Sequence, residues 1–125
     1  VRQARGGCME TVEDIHLKGW GYEKWIVNGD KYCGKLLYFH EGKRCSWHYH
    51  KIKDETFYVQ SGELMVIYGR DKDINKAKII IMKPGDKLHV PPGMIHQMQA
   101  RKSTELFEFS TQHFEDDSYR IERGD

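Results

Sequence analysis

Cysteine, proline and excess charge of either sign are all scarce in this sequence, and each shortage argues against a class of protein. Cys8, Cys33 and Cys45 are odd in number and far apart, with no CxxC pair. A disulfide frame and a thiolate zinc site are therefore not expected, and reduced thiols are the default. Twenty basic and nineteen acidic side chains leave a formal charge of +1, so there is no electrostatic case for a nucleic acid or an anionic membrane as partner. No apolar run approaches the roughly 18 residues of a membrane span. The opening VRQARGGCME has no apolar centre of the secretory kind, and the expected location is the cytoplasm. A chain of 125 residues suits one domain, 1–125, with residues 1–18 read as an N-terminal extension.

What the chain does contain is short β-rich runs separated by glycine, asparagine and its three prolines. The pattern predicts strands over Lys24–Val27, Gly34–His40, Thr56–Gln60, Glu63–Tyr68, Lys78–Met82, Lys87–Val90, His96–Ala100 and Thr104–Ser110. Turns are expected at Asn28-Gly29-Asp30, Ser61-Gly62, Pro84-Gly85-Asp86 and Pro91-Pro92-Gly93. In the last predicted strand Leu106, Glu108 and Ser110 share one face while Phe107 and Phe109 share the other. Only METVEDIHLKGWG, with its acidic start, suggests a short helix. Eight or so short strands imply an all-β domain, either two packed sheets or a closed barrel whose interior can hold a small ligand.

The chemistry concentrates in GKRCSWHYHKIKDETFYVQSG, Gly42 to Gly62. On a strand His48 and His50 point to the same side, and two converging neutral imidazoles suit a divalent metal. Glu55 opens an apolar run, where a carboxylate is costly unless it is paired or bound to a cation. His96 ends the turn-rich segment PGDKLHVPPGMIH and is the candidate fourth ligand. Cys45 lies close by in sequence, with a small buried thiol as its ordinary role.

These residues carry a resemblance to the cupins. The first motif runs Gly42, five residues, His48, one, His50, four, Glu55, six, Gly62; the second runs Gly85, five, Pro91, one, Gly93, two, His96. Where the second cupin motif usually closes on asparagine, this chain has Ala100. The resemblance implies a cupin-type β-barrel, or jelly roll, in which His48, His50, Glu55 and His96 bind one divalent transition metal. Manganese, zinc and iron lead the choices, and nickel or cobalt is also compatible with such ligands. It further implies a homodimer, for which Trp20, Tyr22, Trp25 and Ile26 are candidate contacts.

A narrower likeness covers much of the chain. GWGYEKWIVNGDKYCGKLL, KDETFYVQSGEL and DDSYRIERGD are similar to cupin domains of phosphomannose isomerases, especially the C-terminal isomerase part of bifunctional mannose-6-phosphate isomerase/mannose-1-phosphate guanylyltransferase enzymes. This implies a sugar or sugar phosphate as small-molecule substrate and an aldose–ketose exchange through a metal-stabilised enediolate. Arg120 matches the arginine of that family's terminal R-x-E-D stretch and is the candidate catalytic residue. Glu122 keeps the following acid, and Arg123 replaces the aspartate. An ion pair with Asp116 or Asp117 is the plain alternative for Arg120. Glu63, His89, His113 and Lys24 are candidates for proton transfer, and Trp25, Trp47 and Tyr58 for packing against a sugar. Two other functions fit the same ligands: an iron- or nickel-dependent dioxygenase, and a non-catalytic metal- or sugar-binding cupin.

Overall fold

Strict alternation of buried and half-buried side chains shapes the inner wall. The computed structural model describes residues 6–125, and its strands are β1 Ile15–Lys18, β2 Gly21–Asn28, β3 Cys33–Phe39, β4 Trp47–Tyr49, β5 Glu55–Gly69, β6 Lys78–Met82, β7 Lys87–Val90, β8 Ile95–Ser110 and β9 Tyr119–Glu122. One 3-10 turn, Ile74–Lys76, precedes β6. The order β1-β2-β3-β8-β4-β9 forms a curled antiparallel sheet, and β5 pairs with β8, β6 and β7 to continue the wall. The result is the all-β jelly roll expected. No helix among the described residues is long and apolar enough to cross a membrane.

β3 turns Cys33, Lys35, Leu37 and Phe39 inward, and β5 turns in Glu55, Phe57 and Val59. Leu37, Phe39, Phe57, Val59, Leu64, Val66 and Leu106 make the apolar floor, with Trp20 stacked on Phe39 at 4.1 Å. Burying each such side chain stabilises the fold by roughly 1.5–3 kcal/mol. Of the four residues proposed as dimer contacts, Trp20 belongs to this core and Ile26 is exposed.

The structure corrects two local expectations. METVEDIHLKGWG forms no helix: residues 8–14 have no regular structure, and Ile15–Lys18 pairs antiparallel with β2 as Ile15↔Lys24 through Lys18↔Gly21. A segment this short gains little as an isolated helix, whereas the β2 edge offers backbone partners; β1 therefore lies within the residues expected to be an extension. At Ser61-Gly62 there is no chain reversal, because β5 runs on through an irregular register against β8 between Val59 and Leu64. Gly62 takes φ +94°, and a Cβ there would stand 2.3 Å from the Ser103 carbonyl oxygen. The glycine bends a continuous strand. The predicted pairs of runs at 56–68 and 96–110 are thus one bent strand each.

Candidate metal centre

Register brings the histidines together. β4 lies between β8 and β9, with His48 opposite His96 on one side and opposite Arg120 on the other. His50 follows His48 on the same side of the chain, while Tyr49 points away and stacks on Tyr119 at 5.1 Å. Ligand atoms of His48, His50 and His96 all lie within 4.8 Å of one another.

Each imidazole is oriented from behind. His48 Nδ1 donates to the Ser46 carbonyl at 2.9 Å, His50 Nδ1 to the Asp117 carbonyl at 2.6 Å, and His96 Nδ1 to the Met94 carbonyl at 3.1 Å. A carbonyl only accepts, so the proton of each neutral ring resides on Nδ1 and the Nε2 lone pair is free. Backbone carbonyls serve metal-ligating histidines in this way. Burial, with the nearby positive groups, holds His48 and His50 down at about 3 and His96 at about 4, so all three rings are neutral at pH 7.

Glu55 completes the cluster. Its Oε2 stands 3.5 Å from His96 Nε2 and 3.8 Å from His50 Nε2, and is a buried oxygen without a hydrogen-bond partner. Burial and the Glu108 carboxylate push the Glu55 carboxyl up to about 8. Three inward lone pairs and an unsatisfied carboxylate oxygen are costly together and are what a divalent cation requires. The three-histidine cluster is compatible with such an ion. Its donors are shared by several metals, and the geometry selects none.

Beside the cluster runs a charged wall dictated by strand pairing. Trp25, Lys35, Glu108 and Phe57 lie in one row across β2, β3, β8 and β5. Lys53 Nζ sits 3.1 Å from Glu55 Oε1, Glu108 Oε2 and His113 Nδ1. Against its burial, Glu108 is drawn down to about 2 by Lys53 and Lys35. Glu55 and Glu108 together raise Lys53 despite its burial. Asp117 holds the preceding loop: its carboxylate accepts from the backbone N–H groups of Lys51, Ile52 and Lys53 at 2.8 to 3.2 Å.

Cluster and wall open on one cavity of about 710 Å³. Arg120 lines it, exposed on β9, and among the described residues forms no ion pair, so the alternative partnership with Asp116 or Asp117 is not made. Of the proton-transfer candidates only His113 lines the cavity. His89 lies outside, paired with Asp54 at 2.6 Å, and Glu63 pairs with Arg101 at 3.3 Å. Lys24 and Tyr58 also lie off its lining. Trp47 is fully buried and donates to the Lys72 carbonyl. Trp25 does line the cavity, but its ring carries His16 stacked at 4.0 Å and the Lys35 ammonium at 4.1 Å. Burial pushes the Cys45 thiol up to about 12, making it an inert wall residue.

Sequence reading passed over Lys35, Lys53, Glu108 and Asp117 as functional residues. A signal existed for two of them: Lys35 is in phase with Leu37 and Phe39, and Glu108 with Leu106, on inward faces.

Comparison with known proteins agrees with the fold. A family model described as "Cupin domain" matches residues 35–109, more than half of the chain. No curated protein matches it. Among solved structures, the chain is similar to oxalate decarboxylase from Bacillus subtilis, at TM-score 0.75 and 20% identity over 86% of this chain and 30% of that one. It is also similar to the capsular polysaccharide assembling protein CapF from Staphylococcus aureus, at 0.75 and 16% over 86% and 34%. KdgF from Halomonas sp. aligns at 0.71 and 17% over 83% of this chain and 90% of its own. The chain spans about a third of the length of the first two. With its three-histidine cluster inside a curled antiparallel wall and the family match across that wall, the chain belongs to the cupin domain family.

Proposed function

We propose that this cupin is a metal-dependent aldose–ketose isomerase of a sugar or sugar phosphate, with His48, His50, Glu55 and His96 holding one divalent cation. The observation that carries the metal half is the unsatisfied Glu55 Oε2 beside two Nε2 atoms whose protons lie on the far side of their rings. When bound, the cation supplies a Lewis acid for adjacent carbonyl and hydroxyl oxygens, the demand of a proton shift between neighbouring carbons.

The chain's own residues have separable tasks. Lys53 occupies Glu55 Oε1 and leaves Oε2 directed at the imidazoles. Its ammonium also donates to His113 Nδ1, which holds the His113 proton on Nε2. His113 is then an N–H donor on the cavity wall and the group for handling a proton on a substrate oxygen. Arg120, opposite His48 and without an acidic partner, orients a substrate hydroxyl or stabilises negative charge that develops on oxygen. A cavity of about 710 Å³ accommodates a hexose or its phosphate. The isomerase half is supported by the similarity of GWGYEKWIVNGDKYCGKLL and DDSYRIERGD to phosphomannose isomerases.

The test is anaerobic turnover by metal-reconstituted protein on mannose, mannose 6-phosphate and lyxose, read as ketose formed. Conversion of one substrate, lost in His50→Ala and His96→Ala, is expected. Full activity in metal-stripped protein, or oxygen uptake without isomerisation by an iron-loaded sample, contradicts the assignment.

A further inference from the structure

Two buried lysines face the cavity, and they differ in how their donors are used. Lys53 has an acceptor at 3.1 Å for each of its three N–H bonds. Lys35 is equally buried, at 2% exposure, yet no hydrogen-bond acceptor lies within 3.5 Å of its ammonium among the described residues. The nearest carboxylate oxygen, Glu23 Oε1, is 3.6 Å away and already accepts from the Trp25 indole N–H at 2.9 Å. The Trp25 ring, 4.1 Å from Lys35 Nζ, offsets part of the desolvation. It gives the N–H bonds no oxygen. Lys35 Nζ is not among the sealed-off atoms without a partner, so its free N–H bonds face the cavity, where a ligand oxygen can take them.

We propose that Lys35 is a ligand-binding residue whose ammonium takes an anionic oxygen, a carboxylate or a phosphate, of a molecule whose other end lies at the three histidines. The proposal rests on the reading of this cavity as a metal-dependent substrate site. Charge balance supports an anion over a neutral polyol. On the inner wall Lys35 and Lys53 face Glu23, Glu55 and Glu108, and a divalent cation turns that balance positive. At the rim Lys18, Arg120 and Arg123 stand against Glu115 and Asp125, which adds one further positive charge. A neutral sugar leaves the excess unmatched, whereas an anion meets it in a site of low dielectric.

The experiment is calorimetric titration of the manganese-loaded full chain with glucose 6-phosphate, glucuronate and glucose. At least one anion is expected to bind about tenfold or more tightly than glucose. Preference for glucose 6-phosphate assigns a phosphate ester, and preference for glucuronate a sugar acid. Lys35→Met should weaken the preferred anion about tenfold or more and leave glucose binding and one cation per chain intact, while Lys35→Arg should restore most of the anion's affinity. Should Lys35→Met fail to fold with Glu23 unpaired, Lys35→Met/Glu23→Gln takes its place. Glucose binding as tightly as both anions, no anion binding, or unchanged anion affinity in the lysine-free variant overturns the proposal. Binding is read without turnover, so loss of the isomerase assignment with this pattern intact leaves the Lys35 site standing.

Discussion

Glu55 Oε2 lies 3.5 Å from His96 Nε2, a carboxyl oxygen buried beside an unprotonated ring nitrogen with no hydrogen bond between them. Because burial and Glu108 push the Glu55 carboxyl up to about 8, a proton occupies it at neutral pH when no cation does. Cation binding must displace that proton. Calorimetry at pH 7 in buffers of different ionisation enthalpy should show about one proton released per cation, falling towards none by about pH 9. The histidines, already neutral, add none. Glu55→Gln should release no proton; release equal to that of the unaltered protein would count against this assignment.

Stability of the metal-free protein should peak near neutrality. His48, His50 and His96 are held at about 3 to 4 by burial, below their unfolded value of about 6.5. Between these values the unfolded chain binds more protons, so stability falls with falling pH, by up to about 1.4 kcal/mol per pH unit for each ring. Glu55 acts oppositely: its contribution is present below its unfolded value and is lost as pH rises through about 8. Three rings outweigh one carboxyl on the acid side. Melting temperatures should drop steeply from pH 6.5 to 4.5 and gently from 7 to 9; a flat acid limb would contradict the buried neutral rings.

Asp117 joins the histidine loop to the chain beyond β8 through three backbone N–H groups and the His50 ring. Asp117→Ala removes the carboxylate and leaves the carbonyl that His50 uses. A loss of about 1–3 kcal/mol in urea unfolding is expected, with cation affinity weakened about tenfold to a hundredfold as His50 loosens. Unchanged affinity would show that His50 is positioned without the loop.

Lys53→Met leaves Glu108 buried without its closest counter-ion and Glu55 Oε1 without its partner. Removing one member of such a group costs about 3–5 kcal/mol. Adding cation should recover part of that loss, since Glu55 then has a partner. Denaturation curves with and without manganese provide the check; equal loss in both conditions would mean that Glu55 does not meet the ion.

The site was more legible than its surroundings. His48, His50, Glu55 and His96 stand out because ligand types recur at strand spacing next to turn glycines, and the fold converges them. Eight strand runs were visible from β-rich composition between turn residues, but β1, β4 and β9 were not singled out, because they lack such flanking signals and are created by their pairing partners. The irregular register at Gly62, where the expected turn is absent, depends on contact with Ser103, distant in sequence. The buried network of Lys35, Lys53 and Glu108 was hidden for a related reason. Charged side chains read as solvent-facing until register sets Lys35 and Glu108 in one inward row and the loop before β5 brings Lys53 to Glu108.

Metal content after reconstitution tests the central claim most directly. Purified chain stripped with chelator, incubated with manganese or zinc, desalted and measured by elemental analysis should retain one ion per chain, and His96→Ala and Glu55→Ala should retain far less. Absence of any retained ion in the folded protein, or equal retention after both substitutions, would contradict a cation held by these four side chains.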